Sequence, residues 1–227
     1  MPSIDAFVFD AYGTLFDVHS VTALAESLWP SHGASISQRW RAKQLEYSWL
    51  TSLMSAESGM DADFASITAA ALDHAFESLR IAAPADARQS LLDAYRKLSP
   101  FPDARATLAA LAPRPRWILS NGSHAMLDPL VGRSALAEHL DGVITVETAR
   151  TFKPHPRVYR LAVERLGVPA SRIGFVSSNC WDAVGAAAFG FAAFWVNRAN
   201  APLDRHGPVP YRILESLQDL PALVQTR

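Results

Sequence analysis

Five short apolar runs punctuate the chain: Ala6–Phe9, Trp117–Leu119, Gly142–Val146, Ile173–Val176 and Ala192–Val196. None alternates apolar with polar residues, so each reads as a strand covered on both faces of a sheet. Helical spacing fills the gaps between the later runs, as at Asp103–Leu111 and Pro156–Leu166. Strands alternating with helices predict an α/β fold, a Rossmann-like parallel sheet with right-handed crossovers. The alternation breaks once. From about Val21 to Leu98 the pattern is helical throughout, best at Ser37–Met54, Phe64–Leu79 and Ala85–Leu98, with ESGMDAD linking the first two. This predicts an inserted helical cap domain, residues 17–98, on a core domain made of residues 1–16 and 99–227. The hinges are expected near Leu15–Ser20 and Ser99–Pro102, where SPFPDA supplies prolines and a helix start. Near the C-terminus, ANAPLDRHGPVPY reads as a proline-punctuated loop before a last short helix.

Composition narrows the class. The 227 residues are 49% hydrophobic and 19% charged, ample for a core. A net charge of −1 gives no footprint for nucleic acid or an anionic membrane, and neither is expected as a partner. No apolar run approaches the roughly 20 residues that span a bilayer. The start MPSIDAFVFD carries no secretory signal. Cys180 is the single cysteine, so no internal disulfide forms, consistent with a reducing, cytoplasmic setting. The seven histidines show no metal-ligand spacing, so no metal is expected.

In an open α/β sheet, ligands bind beyond the carboxyl ends of the strands. The first run ends in Asp10, within FVFDAYGTLFD, and the second in Ser120–Asn121–Gly122. After the third comes RTFKPHPRVY, with Lys153 and Tyr159, and the fourth ends in SSNCWD, from Ser177 to Asp182. Taken singly these are bland: an acid after a strand is often a helix cap, and Ser-Asn-Gly is usually a turn. Four strand ends that together supply two acids, a lysine, hydroxyls and two carboxamides point to one chemical site. Arg41 adds to it from the cap. Leu45 and Trp49 follow at helical spacing, so Arg41 shares their apolar face, where a guanidinium needs an anionic partner. A salt bridge from cap to core is the alternative partner. Arg39 and Lys43 point elsewhere, into solvent.

These residues resemble the haloacid dehalogenase superfamily, and more narrowly its L-2-haloacid dehalogenases. The resemblance rests on DAYGTL, on SNG near 120, on KP near 153 and on SSNCWDAVGA. It extends through the cap, where RAKQLEYSWLTSLM matches the family's cap helix. It implies the haloacid dehalogenase-like fold and an aspartate nucleophile, Asp10. It also implies a cluster of Thr14, Ser120 and Lys153 around that nucleophile, and Arg41 as the acceptor of the departing halide, with Asn121 donating to the same ion. Lys153 holds Asp10 ionised by charge pairing. Read alone it is a surface lysine, and Thr14 a cap. Ser120 and a turn amide grip the substrate carboxylate. Tyr159 and Ser177 orient Lys153 and Asp182, although Tyr159 reads equally as a helix-surface ring. Ala11, Tyr12, Leu45, Phe64 and Trp181 border the substrate. The family often has glutamine in place of Ala42, which enlarges the pocket or changes only the cap seam. A homodimer is expected from the resemblance, with Trp40, Trp49 and Leu53 as an exposed apolar surface.

Tyr12 selects the chemistry. Phosphatases of this superfamily place a second acid two residues after the nucleophile, to protonate the leaving oxygen. They also use Mg²⁺ to offset phosphate charge. Here the second acid is absent, and Asp10 and Asp182 are the only motif acids. A halide leaves as a stable anion and needs no proton, and a 2-haloacid carries only one negative charge. The expected reaction is therefore metal-free hydrolysis of a 2-haloacid through an ester on Asp10, and the resemblance implies (S)-2-haloacids as substrates and (R)-2-hydroxyacids as products. Water then attacks that ester, with Asp182 as the base and Asn179 and Lys153 assisting. Haloacetates and fluoroacetate stay open as substrates. The rivals are a Mg²⁺-dependent phosphatase of the same fold and a silent small-molecule binding module.

Overall fold

The computed structural model describes residues 3–54 and 63–224. Strand β1 (Ala6–Phe9) opens the sheet, and four helices follow it. They are α1 (His19–Leu28), α2 (Gly33–Met54), α3 (Phe64–Leu79) and α4 (Ala85–Ala94). Then come α5 (Ala104–Ala110), β2 (Arg116–Ser120), α6 (His124–Gly132), β3 (Gly142–Thr145) and α7 (Pro156–Leu166). The chain ends with β4 (Ile173–Ser177), α8 (Cys180–Phe189), β5 (Ala192–Val196), β6 (Arg212–Leu214) and α9 (Asp219–Val224). The linker read at 57–63 lies, apart from Asp63, outside the described residues.

All pairings in the sheet are parallel, in the order β3-β2-β1-β4-β5-β6. Every residue of β1, β4 and β5 is buried, as continuous apolar runs require. The order reverses between β1 and β4, so their carboxyl ends diverge at a crevice. Asp10 follows one and Ser178–Asn179 the other. The turn after β1 needs Gly13, whose φ of +84° disfavours a side chain and whose Cβ would meet Ser178 Oγ at 3.2 Å.

Helices α1–α4 pack on one another, α1 against α2 and α4 and α2 against α3. The Asp63 carboxylate accepts the Ser66 N–H at 2.7 Å and caps α3. The two strands of chain entering and leaving this helical layer run side by side. Asp17 N–H donates to Ser99 O at 2.8 Å, and Phe101 N–H to Leu15 O at 2.9 Å.

The fully buried stripe of α2 is Ile36, Trp40, Gln44 and Ser48. The Arg41–Leu45–Trp49 stripe is half-buried and turns toward the sheet layer. Trp40 therefore does not offer a surface. It is 1% exposed, donates its indole N–H to Thr68 O at 2.8 Å and packs edge-on to Tyr95. Ala42 is exposed on the far side of α2, in a surface groove with His74, and does not line the cavity at Asp10. The stretch 199–211 is a loop as expected, but β6 follows it before the last helix.

Candidate active site

Asp10 lies at the end of β1 with its carboxylate 9% exposed and three donors on it. Lys153 Nζ donates to Oδ1 at 3.0 Å. Asn179 Nδ2 and the Thr14 hydroxyl donate to Oδ2 at 2.9 and 3.2 Å. Thr14 is itself fixed by the Ser178 N–H, which donates to its Oγ1 at 2.8 Å.

Lys153 is 1% exposed and bridges the two acids, reaching Asp182 Oδ2 at 2.9 Å. Burial disfavours its ammonium, but the charges of Asp10 and Asp182 outweigh that and raise its pKa. Asp182, in the first turn of α8, is fully buried, and burial pushes its pKa up against the pull of Lys153 and Tyr159. The Tyr159 hydroxyl donates to Asp182 Oδ1 at 2.8 Å. Tyr159 is thus a buried ring on α7 that holds Asp182, and it makes no bond to Lys153. Both carboxylate oxygens of Asp182 are engaged, and the residue is not among those lining the cavity over Asp10.

Ser177 departs from expectation. Its hydroxyl accepts the Asn179 N–H at 3.1 Å, which fixes the turn after β4, and bonds neither Lys153 nor Asp182. The geometry is local, since a serine two residues before an N–H commonly forms such a turn.

Asp10, Tyr12, Arg41, Leu45, Phe64, Ser120, Asn121, Lys153, Asn179 and Trp181 enclose one cavity. Its volume is about 10 Å³, room for about one water. Ala11 is buried and is not among the residues lining it. Ser120 Oγ accepts the Gly122 N–H at 3.2 Å. The carbonyl end of Asn121 accepts the Lys153 N–H at 2.9 Å, leaving its NH₂ end for a ligand. Arg41 Nη2 donates to Asn179 Oδ1 at 3.2 Å, and among the described residues Arg41 forms no ion pair.

The Tyr12 ring stacks on Phe64 at 6.4 Å and meets Tyr95 edge-on at 5.8 Å. It lies so close to the β2 turn that a Cβ at Gly122 would come within 3.0 Å of it. Burial, Tyr95 and the Asp10 charge drive its pKa far above the ordinary phenol value. A proton donor works best with a pKa near the working pH, and that of Tyr12 is driven away from it. The donors on Asp10 are N–H and O–H groups, and Asn179 Nδ2 also points at Tyr12 O, at 3.4 Å. That arrangement presents hydrogens where a cation would need lone pairs.

Outside Trp181 lies a larger apolar groove of about 590 Å³, lined by Trp49, Leu53, Phe152 and Pro154 among others. Trp49 and Trp181 meet edge-on at 5.5 Å. Missing from the sequence reading are Gln44 and Thr68, which contact Arg41 directly and through one bond. The available signal was Gln44 at helical spacing from Ile36 and Trp40, a polar residue on an apolar face.

The family model for haloacid dehalogenase-like hydrolases matches residues 4–190. The chain belongs to that family. Its relatives place it with the L-2-haloacid dehalogenases. It is 44% identical to (S)-2-haloacid dehalogenase H-109 of Pseudomonas putida over 222 residues, covering 97% of each chain. The crystal structure of the L-2-haloacid dehalogenase RSc1362 superposes with a TM-score of 0.96 at 39% identity, covering 99% of this chain and 100% of that one. The L-2-haloacid dehalogenase of Xanthobacter autotrophicus with chloropropionic acid covalently bound superposes with a TM-score of 0.89. That protein is 41% identical, over 98% of this chain and 99% of its own. Among the described residues, no helix is long and apolar enough to cross a membrane.

Proposed function

We propose that the protein hydrolyses (S)-2-haloacids to (R)-2-hydroxyacids and halide, through an ester on Asp10. The observation that carries the reading is a buried, thrice-bonded carboxylate facing an unpaired arginine, with a tyrosine where a proton donor would stand. The covalent chloropropionate of the Xanthobacter autotrophicus relative supports the same route.

Ser120 and the amides of its turn hold the substrate carboxylate. Asp10 attacks C2 in line, the new C–O bond forms as the carbon–halogen bond breaks, and the halide departs with the electron pair. Arg41 and Asn121 receive it, and C2 inverts. Ala11, Tyr12, Leu45, Phe64 and Trp181 keep the reacting carbon dry, which strengthens every charge interaction there. Water then attacks the ester carbonyl that belongs to Asp10. Its proton passes to the Lys153–Asp182 pair, Asp182 lying behind the ammonium and not at the cavity wall. Collapse restores the Asp10 carboxylate and yields the hydroxyacid, with one net proton released. Thr14 and Asn179 hold Asp10 in line for both steps, Tyr159 holds Asp182, and Ser177 acts through the turn that carries Asn179.

A cavity for one water does not admit a haloacid, so residues 17–98 act as a cap that opens over residues 1–16 and 99–227 for exchange. We assign the protein to the cytoplasm and to a homodimer. The apolar end of α2 supplies the dimer surface, with Leu50, Leu53 and Met54 at 43%, 75% and 77% exposed. The test of the ester is one turnover in ¹⁸O-labelled water with enzyme in excess. The label enters Asp10 first and product only on later turnovers. Label found directly in the first product excludes the ester.

A further inference from the structure

A continuous hydrogen-bond chain runs from the cap backbone to the nucleophile. The Thr68 hydroxyl donates to Phe64 O at 2.6 Å, which leaves its oxygen to accept Gln44 Nε2 at 2.7 Å. That fixes the Gln44 amide with Oε1 toward Arg41, whose Nη1 donates to it at 2.6 Å. Arg41 Nη2 then reaches Asn179 Oδ1, and Asn179 Nδ2 reaches Asp10. No member of the chain can be reversed without losing a bond.

Gln44 is fully buried on α2, where an acid would equally satisfy the guanidinium's need for an acceptor. Both partners of Arg41 are instead neutral amide oxygens. They fix its direction and leave its charge uncompensated. We propose that Gln44 is a positioning residue for the reaction: it aims Arg41 at the departing halide, and it is an amide because a carboxylate would neutralise the charge the halide needs. The inference rests on Arg41 being the halide acceptor. The other titratable groups facing Arg41 are Tyr12 and Tyr95, both kept neutral by burial, and Asp10 and its partner Lys153 across the cavity.

The test compares the full-length wild type with Gln44→Glu, Gln44→Met and Thr68→Val, using (S)-2-chloropropionate and (S)-2-bromopropionate. Gln44→Glu lowers kcat on the chloro acid by on the order of 10²-fold. The loss on the bromo acid is smaller, because bromide leaves with less help. Chloride inhibits the variant more weakly, and its kcat recovers as pH falls and the introduced carboxylate becomes neutral, a recovery the wild type lacks. Gln44→Met and Thr68→Val also widen the gap between bromo and chloro acids, but without recovery at low pH. These two decide the matter if Gln44→Glu does not fold. An unchanged bromo/chloro ratio and chloride inhibition in the variants, with an active wild type, overturns the role of Gln44 alone. A wild type that releases no halide from either acid overturns the functional reading and this inference with it.

Discussion

At the scale of single residues, the site is a pair of acids sharing one buried ammonium. Asp10 faces the cavity and Asp182 faces inward, and the difference between them is made by Tyr159. Replacing Tyr159 by Phe leaves a buried carboxylate oxygen without its donor, a loss of about 1–3 kcal/mol in stability. That hydrogen bond holds the Asp182 pKa down, so its removal raises it, and the acid limb of the kcat profile moves to higher pH. A limb that stays in place shows that Asp182 does not titrate in the rate. Much at this scale was legible, because strand ends collect polar side chains: Ser120 ends β2, and Asp10, Lys153 and Asn179 follow β1, β3 and β4. Ser177 and Gln44 were misread or missed for one reason: hydrogen-bond direction is set by three-dimensional neighbours, and spacing along the chain does not report it.

Between elements, the segments joining β1 to α1 and α4 to α5 lie side by side, and one ion pair sits beside them. Arg198, just after β5, donates to both oxygens of Asp103 at 2.6 and 3.0 Å and reaches Thr14 O at 3.4 Å. Asp103 also accepts the Leu217 N–H at 3.0 Å, so one buried carboxylate ties the hinge to the C-terminal segment. Arg198→Met leaves that carboxylate with the Leu217 N–H but without its charge partner and costs about 3 kcal/mol. Thermal unfolding then falls by roughly 6–12 °C for a chain of this size. A variant that melts with the wild type shows the pair to be idle. Strands β1 and β5 and helices α3 and α7 were legible to the residue, because long apolar runs and clear periodicity leave little choice. Strand β6 was not, being three residues at the sheet edge with Ile213 49% exposed. Trp40 was misplaced because α2 carries two adjacent stripes with large apolar residues, and periodicity alone does not say which one packs on α3.

For the whole molecule, several buried groups are set to fail together in alkali. The pKa values of Tyr12, Tyr95 and Tyr159 are raised first by burial, and that of Lys153 is raised by its two carboxylates against burial. A raised folded-state pKa gives stability that is complete below the unfolded value, about 10 for these groups, and lost as pH climbs through the folded value. Melting temperature should therefore hold to about pH 10 and drop above it. A flat profile to pH 11.5 contradicts the burial of these groups. Tyr12, standing where a second acid would be, marks a dehalogenase and not a phosphatase. The most direct measurement is halide release from separate L and D 2-chloropropionate, with and without EDTA. Release is expected from the L form alone, unchanged by EDTA. No halide from either form, together with Mg²⁺-dependent phosphate release from a generic phosphomonoester, would make the protein a phosphatase.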